Sequence, residues 1–160
     1  MDKVYIGKVV KPHGIKGEIR ILSNFPFKDK VFVVGNEIII KDKSYKIMSY
    51  RVHKGFDMIT LNGFSNINDI LFLLKQDVYF DKSHLSLTDN EVLDEELITF
   101  DVYDQAGNIG KIVDIFMASS NNKIIRVMFD REVLIPLSSP VIKKIDKKNK
   151  KVDVELIEGM

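Results

Sequence analysis

Ten residues near the start of the chain, KPHGIKGEIR at positions 11–20, gather the side chains best suited to chemistry. His13 can change charge near neutral pH, while Lys16 and Arg20 can hold an anion. Pro12 and Gly14 are expected to force a turn, and Gly17 permits a second sharp bend or a close backbone approach. Lys11, His13, Lys16 and Arg20 then become candidates for contacting RNA, by phosphate binding or by stacking on a base. The same residues also read as a hairpin shaped by glycine and carrying solvated charges.

A second cluster comprises Lys143, Lys144, Lys147, Lys148, Lys150 and Lys151, six lysines within nine residues. Such a run could bind phosphate by releasing counterions. Asp146 and Asp153 dilute it and no aromatic residue is interleaved, so a solvated turn is the alternative. A third feature is acidic. Asp89, Glu91, Asp94, Glu95, Glu96 and Asp101 accumulate where no Lys or Arg occurs between Lys82 and Lys111. That stretch could dock a basic protein or serve as a charged connector.

Signals for catalysis are missing. His13, His53 and His84 form no HxxxH or HExxH pair, and no nucleophile elbow, P-loop or dinucleotide fingerprint is present. With no cysteine there is no disulfide framework and no thiolate metal site. The reading is of a binding protein without cofactor or metal, not an enzyme. The alternative is an RNA-processing or RNA-modifying enzyme with a site between two domains.

The elements that must position these groups are mostly strands. Residues 4–10, 17–22, 37–41, 45–52 and 57–61 are short runs rich in Val, Ile and Tyr, separated by turn residues. Five strands at this spacing predict a small antiparallel barrel. Residues 66–74, NINDILFLL, carry apolar side chains at helical spacing, with Asn66 as cap and Asp69 in the first turn. A strand over 77–80 completes this domain. Phe25, Phe27 and Phe32 read as its core. The second half predicts strands over 98–103, 109–117, 124–129, 133–137, 141–145 and 152–156, with a turn over 119–122. The fold class is therefore all-β: two small antiparallel β-barrels at 1–83 and 95–160, a linker over 84–94, and one short helix in the first domain.

Composition agrees with a chain that can bury a core, at 45% hydrophobic and 29% charged residues. The formal net charge of +1 conceals an asymmetry. Residues 1–83 carry 14 Lys and Arg against 9 Asp and Glu, a net of +5. Residues 84–160 carry 10 against 14, a net of −4. A basic half would suit phosphate and an acidic half a basic protein. The opening residues lack the apolar run of a signal peptide, and no window approaches a membrane span. A cytoplasmic monomer is expected.

The ordered motifs carry a resemblance. Gly7-Lys8, then His13-Gly14-Ile15-Lys16-Gly17, then Phe25-Pro26 resemble the opening of the bacterial ribosome maturation factor family RimM. Asp57 before the small helix is a second match. Asp101 to Asp114, Leu134-Ile135-Pro136, residues 141–146 and the terminal Glu158-Gly159-Met160 are similar to the PRC-barrel domain that follows in that family. The resemblance implies a non-catalytic factor that binds the assembling small ribosomal subunit near its head. It would assist ribosomal RNA processing and folding and contact small-subunit head protein number nineteen. It also implies protein-partner candidates at Val92, Leu93, Glu95, Glu96, Asn121 and Asn122. Many family members have an aromatic pair where this chain has Val92-Leu93, and a G-A/S-N-D turn where it has residues 119–122. A PRC-barrel scaffold unrelated to ribosomes is a third reading.

Overall fold

The computed structural model describes residues 2–119 and 122–160. The chain divides into two compact units, one ending at Ser86 and the other beginning at Leu87.

The first unit is a closed barrel. Strands β1 (Lys3–His13), β2 (Glu18–Leu22), β3 (Glu37–Ile40), β4 (Lys43–His53), β5 (Phe56–Leu61) and β6 (Asp77–Asp81) run in the order β1-β2-β5-β4-β3-β6, and β1 pairs antiparallel with β6 to close the ring. Period-two alternation sends Ile19, Ile21, Ile59, Leu61, Val78 and Phe80 inward to one core. β1 must serve two neighbours, and it bends to do so. Its register shifts between Tyr5 and Gly7 against β6, and between Val9 and Lys11 against β2. Gly7 makes the bend possible, because a Cβ there would lie 2.8 Å from both Ile21 Cγ2 and the Leu22 carbonyl oxygen.

β1 extends further than its sequence suggests. Lys11, Pro12 and His13 lie within the strand, opposite Arg20, Ile19 and Glu18, so the turn is confined to residues 14–17. Pro12 is tolerated because the β6 ladder ends at Lys8, leaving β1 an edge on that side. The segment over 66–74 is helical, as α2 (Ile67–Ile70) continued by a 3₁₀ turn over Leu71–Leu73. Asn66 caps it by accepting the Asn68 N–H, and Asp69 returns bonds to the Asn66 and Ser65 N–H groups. A one-turn helix, α1 (Lys28–Val31), is too short to show in the hydrophobic periodicity.

Asp57 is the charged residue turned most deeply into this unit, at 2% exposure. The Tyr50 hydroxyl donates to its Oδ1 at 2.7 Å, and Lys28 Nζ pairs with Oδ2 at 2.9 Å. This ties β5 to β4 and to α1. Tyr50 also stacks on buried Phe32, with ring planes 6° apart.

The second unit is a six-stranded sheet in the order β10-β9-β8-β7-β12-β11. Its strands are β7 (Asp101–Tyr103), β8 (Ile109–Ser119), β9 (Asn122–Met128), β10 (Glu132–Pro136), β11 (Ile142–Asp146) and β12 (Lys151–Val154). Val102, Ile112, Ile125, Val127, Val133, Ile135, Val152 and Val154 all meet in one cluster, so the sheet coils around a common interior. Two expectations are corrected. β7 pairs with β12 in parallel, so the unit is not wholly antiparallel. Residues 98–100 belong to no strand: helix α3 (Asp94–Leu97) precedes them, and backbone bonds from Ile98 to Asp94 and from Phe100 to Leu97 prolong its turn.

Burial and the hydrogen bond to Asp57 push the Tyr50 pKa up to about 12 from an ordinary 10. A phenol whose pKa rises on folding stabilises the fold fully below pH 10, and that contribution is lost as pH rises through 12. Alkaline unfolding followed by circular dichroism should therefore steepen between pH 10 and 12. Tyr50→Phe should abolish that component and cost about 1.5–3 kcal/mol at pH 7, the range for a hydrogen bond to a charged group.

Candidate nucleic-acid interface

The β1–β2 loop is held from below. Gly17 is buried with φ at 86°, and a Cβ there would lie 3.2 Å from the Phe64 carbonyl oxygen and 3.3 Å from Asn66 N. The Ile67 N–H donates to the Ile15 carbonyl at 2.9 Å. The capped start of α2 is thus the seat of the loop, which leaves Lys16 exposed and Ile15 73% exposed at the tip. Gly14, with φ at 68°, completes the turn.

On the outer wall, β1, β2, β5 and β4 lie side by side and their outward residues form one patch. Lys11 is opposite Arg20, Arg20 is opposite Met58, and Met58 is opposite Arg51. The Arg20 Nη2 donates to His13 Nδ1 at 2.8 Å. Because guanidinium only donates, His13 Nδ1 is the acceptor of this bond. Its ring lies 5.2 Å from the ring of His53, and the Arg20 guanidinium lies 5.7 Å over Phe56. Arg51 grips Glu18 with two bonds of 2.7 and 2.9 Å. Those bonds hold the Glu18 carboxyl below the usual range against a smaller opposing effect of burial.

The patch therefore holds four permanent cations, Lys11, Arg20, Arg51 and Lys54, against one carboxylate that is already engaged. Two imidazoles and an aromatic ring accompany them. That combination can bind phosphate and support a stacked base.

Of the four residues expected here, Lys11 and Lys16 are exposed, whereas His13 and Arg20 are half-buried. The Arg20 Nε is buried and its guanidinium lies against His13 and Phe56, so it positions the patch more than it reaches outward. Sequence reasoning missed Arg51, His53, Lys54 and Phe56. They arrive on the β4–β5 hairpin, whose two-residue turn has Lys54 and Gly55 both at positive φ. The alternation of Arg51 and His53 before that turn was the available signal, but only the barrel order brings it beside His13.

The acidic segment is more structured than a connector. Lys123 Nζ holds both oxygens of Asp94, at 2.7 and 3.0 Å, fastening the start of α3 to β9. Glu95 is exposed and Glu96 half-buried on the same helix. Val92 and Leu93, the partner candidates beside it, are buried at 8% and 4% exposure, and Val92 belongs to the second core. Asn122 is half-buried where β9 begins, and Asn121 lies outside the described residues. The lysine-rich β11–β12 turn is organised by Asp146, which accepts the Asn149 backbone and side-chain N–H groups.

A family model described as the RimM N-terminal domain matches residues 4–85, and one described as the RimM PRC barrel domain matches residues 94–160. The chain belongs to the RimM family. The ribosome maturation factors RimM of Staphylococcus aureus strains JH9 and N315 are each 36% identical to it over 165 residues, covering 99% of this chain and 98% of theirs. A crystal structure of a putative 16S ribosomal RNA processing protein RimM from Pseudomonas aeruginosa covers 99% of this chain and 100% of its own, at 20% identity and a TM-score of 0.47. The solution structure of the N-terminal domain of RimM from Thermus thermophilus covers 54% of this chain and 98% of its own, at 18% identity and a TM-score of 0.48. The basic patch thus lies wholly within the RimM N-terminal domain, and α3 with β9 within the RimM PRC barrel domain. Among the described residues no helix is long and apolar enough to cross a membrane.

His53 has its pKa held below 6.5, first by desolvation and then by nearby positive charge, that of Arg51 foremost and those of Lys54 and Arg20 after it. Proton NMR titration should show it deprotonating at a lower pH than a free imidazole. Arg51→Ala should move that titration upward, because it removes a cation and releases the Glu18 carboxylate beside it.

Proposed function

We propose that this protein is a cytoplasmic ribosome maturation factor that binds the assembling small subunit near its head and acts without catalysis. Its work is differential binding: it holds one arrangement of ribosomal RNA and protein more tightly than the competing ones and so assists processing and folding. Family membership over nearly the whole chain supports this reading. The observation that carries its molecular part is the cationic patch built from four neighbouring strands of the first barrel. Lys11 and Lys16 contact RNA phosphate directly, while His13 and Arg20 set the shape of the contact surface. The acidic α3, with Glu95 and Glu96, and the start of β9 at Asn122 face a basic head protein, of which protein number nineteen is the candidate.

Co-sedimentation with immature small subunits, mature small subunits and large subunits tests the proposal. Selective retention on immature particles is the expected result, and equal or absent retention on all three would refute it. Lys11→Glu combined with Lys16→Glu should leave the fold intact, since both side chains are exposed. It should weaken retention and reduce the slope of log affinity against log salt by about 1 per lysine. An unchanged slope would remove these two residues from the contact.

A further inference from the structure

The turn that follows α2 gives the first unit a second surface with the ingredients of a base-stacking site. The 3₁₀ turn that follows α2 presents Leu71 and Phe72 to solvent, at 48% and 47% exposure. These are adjacent large apolar side chains at a position where the helical pattern turns Ile70 and Leu73 inward. Phe72 does not stand alone. Its ring meets Phe64 edge-to-face, with centroids 5.9 Å apart and planes at 82°. Phe64 in turn lies 5.6 Å from Tyr45, and both of these pack against the barrel core. Three rings therefore run from the interior to the surface. The outermost is held in a fixed orientation while half of it stays open.

A lysine lies over this ring. Lys41 Nζ sits 6.0 Å above the Phe72 ring. It reaches that place from a two-residue β3–β4 turn in which Lys41 and Asp42 both adopt positive φ, at 53° and 64°. A lysine in the left-handed region, without glycine to ease the turn, is a costly way to place a cation. Lys43 is exposed on the same strand face as Tyr45, and Lys75 is exposed three residues beyond Phe72. The carboxylates on the same turn and helix are already engaged. Asp42 pairs with Lys3 at 3.2 Å, and Asp69 caps α2. An anchored, half-open aromatic ring with a cation over it suits an unpaired nucleotide, whose base stacks while its phosphate meets an ammonium group.

We propose that Phe72, supported by Phe64 and Tyr45 and flanked by Lys41, is a stacking platform for an unpaired base of single-stranded RNA. This extends the reading of the first unit as an RNA-facing domain and rests on it for the identity of the nucleic acid. The test is fluorescence anisotropy of the full chain with a short unstructured oligouridine and with an RNA hairpin of matched length. Phe72→Tyr keeps the ring and should bind the unstructured strand as the unmodified chain does. Phe72→Leu keeps the apolar bulk but loses the π-face, and should weaken that binding by about tenfold with little effect on the hairpin. Circular dichroism of both variants should match the original, because the side chain is half exposed. Equal binding by Phe72→Leu and the original, or no binding of unstructured RNA by the original, would overturn the proposal. A photo-crosslinking residue at position 72 should label RNA in immature subunits, and labelling of protein alone would also overturn it. Co-sedimentation separates this proposal from the broader one. Retention on immature subunits together with an inert Phe72→Leu would remove the platform and leave the maturation role. Loss of retention with a strong Phe72 effect on oligouridine would do the reverse.

Discussion

The bend of β1 at Gly7 is the constraint on which the first barrel depends. One strand has to pair with β6 along its first half and with β2 along its second, and a straight strand cannot do both in so small a ring. Two register shifts supply the curvature, and Gly7 lets the Ile21 side chain and the Leu22 carbonyl approach where a Cβ would stand. The Ser23 hydroxyl donates to the Ile6 carbonyl beside it and secures the crossing. Because β1 then continues past the last β6 partner, its end projects as an edge carrying Lys11, Pro12 and His13. The cationic patch is a consequence of how the barrel closes.

From that edge the arrangement becomes cooperative. The β1–β2 loop depends on Gly17 for its approach to residues 64–66, and that segment depends on the capping of α2 by Asn66 and Asp69. The same short helix leads directly into the turn that exposes Leu71 and Phe72. One local element therefore seats a loop on one side and presents an aromatic ring on the other. The cationic wall divides its labour differently. Arg51 neutralises Glu18, Arg20 orients His13, and the exposed lysines remain to meet an anion. The Arg51–Glu18 pair adds no net charge, so the positive charge of the wall rests on Lys11, Lys16, Lys54 and Arg20.

Much of this was legible in the residues, and the rest was hidden for identifiable reasons. Short β-branched runs between turn residues indicated the strands of the first barrel, and Asn66 with Asp69 marked the one helix whose caps leave a sequence signature. Pro12 misled as a turn residue because edge status, which makes proline acceptable in a strand, is a property of the assembled sheet. The stretch 98–103 was apolar enough to suggest a strand throughout, yet the bonds that carry α3 onward take its first residues. The parallel partner of β7 lies some fifty residues away in sequence and leaves no local mark. At the site, His13 and Lys11 could be named from their own neighbourhood. Arg51, His53 and Phe56 could not, because they join the patch only through the strand order β1-β2-β5-β4. Val92 and Leu93 are buried, at 8% and 4% exposure, which two apolar residues in an acidic stretch did not by themselves indicate.

The parallel β7–β12 pair also sets an order of events during synthesis. β7 emerges near the beginning of the second unit and β12 near its end, and Val102 shares a core with Val152 and Val154. β7 can pair with β8 early, but its other edge and one wall of the core wait for residues 151–154. Until those residues leave the exit tunnel, the strand is an open template exposing apolar surface. The first barrel closes with β6, by Asp81, so a nascent chain grown past β6 but not yet past β12 would carry one finished domain and one unfinished domain. The folded basic wall would thus be present in the cell before the acidic unit that accompanies it.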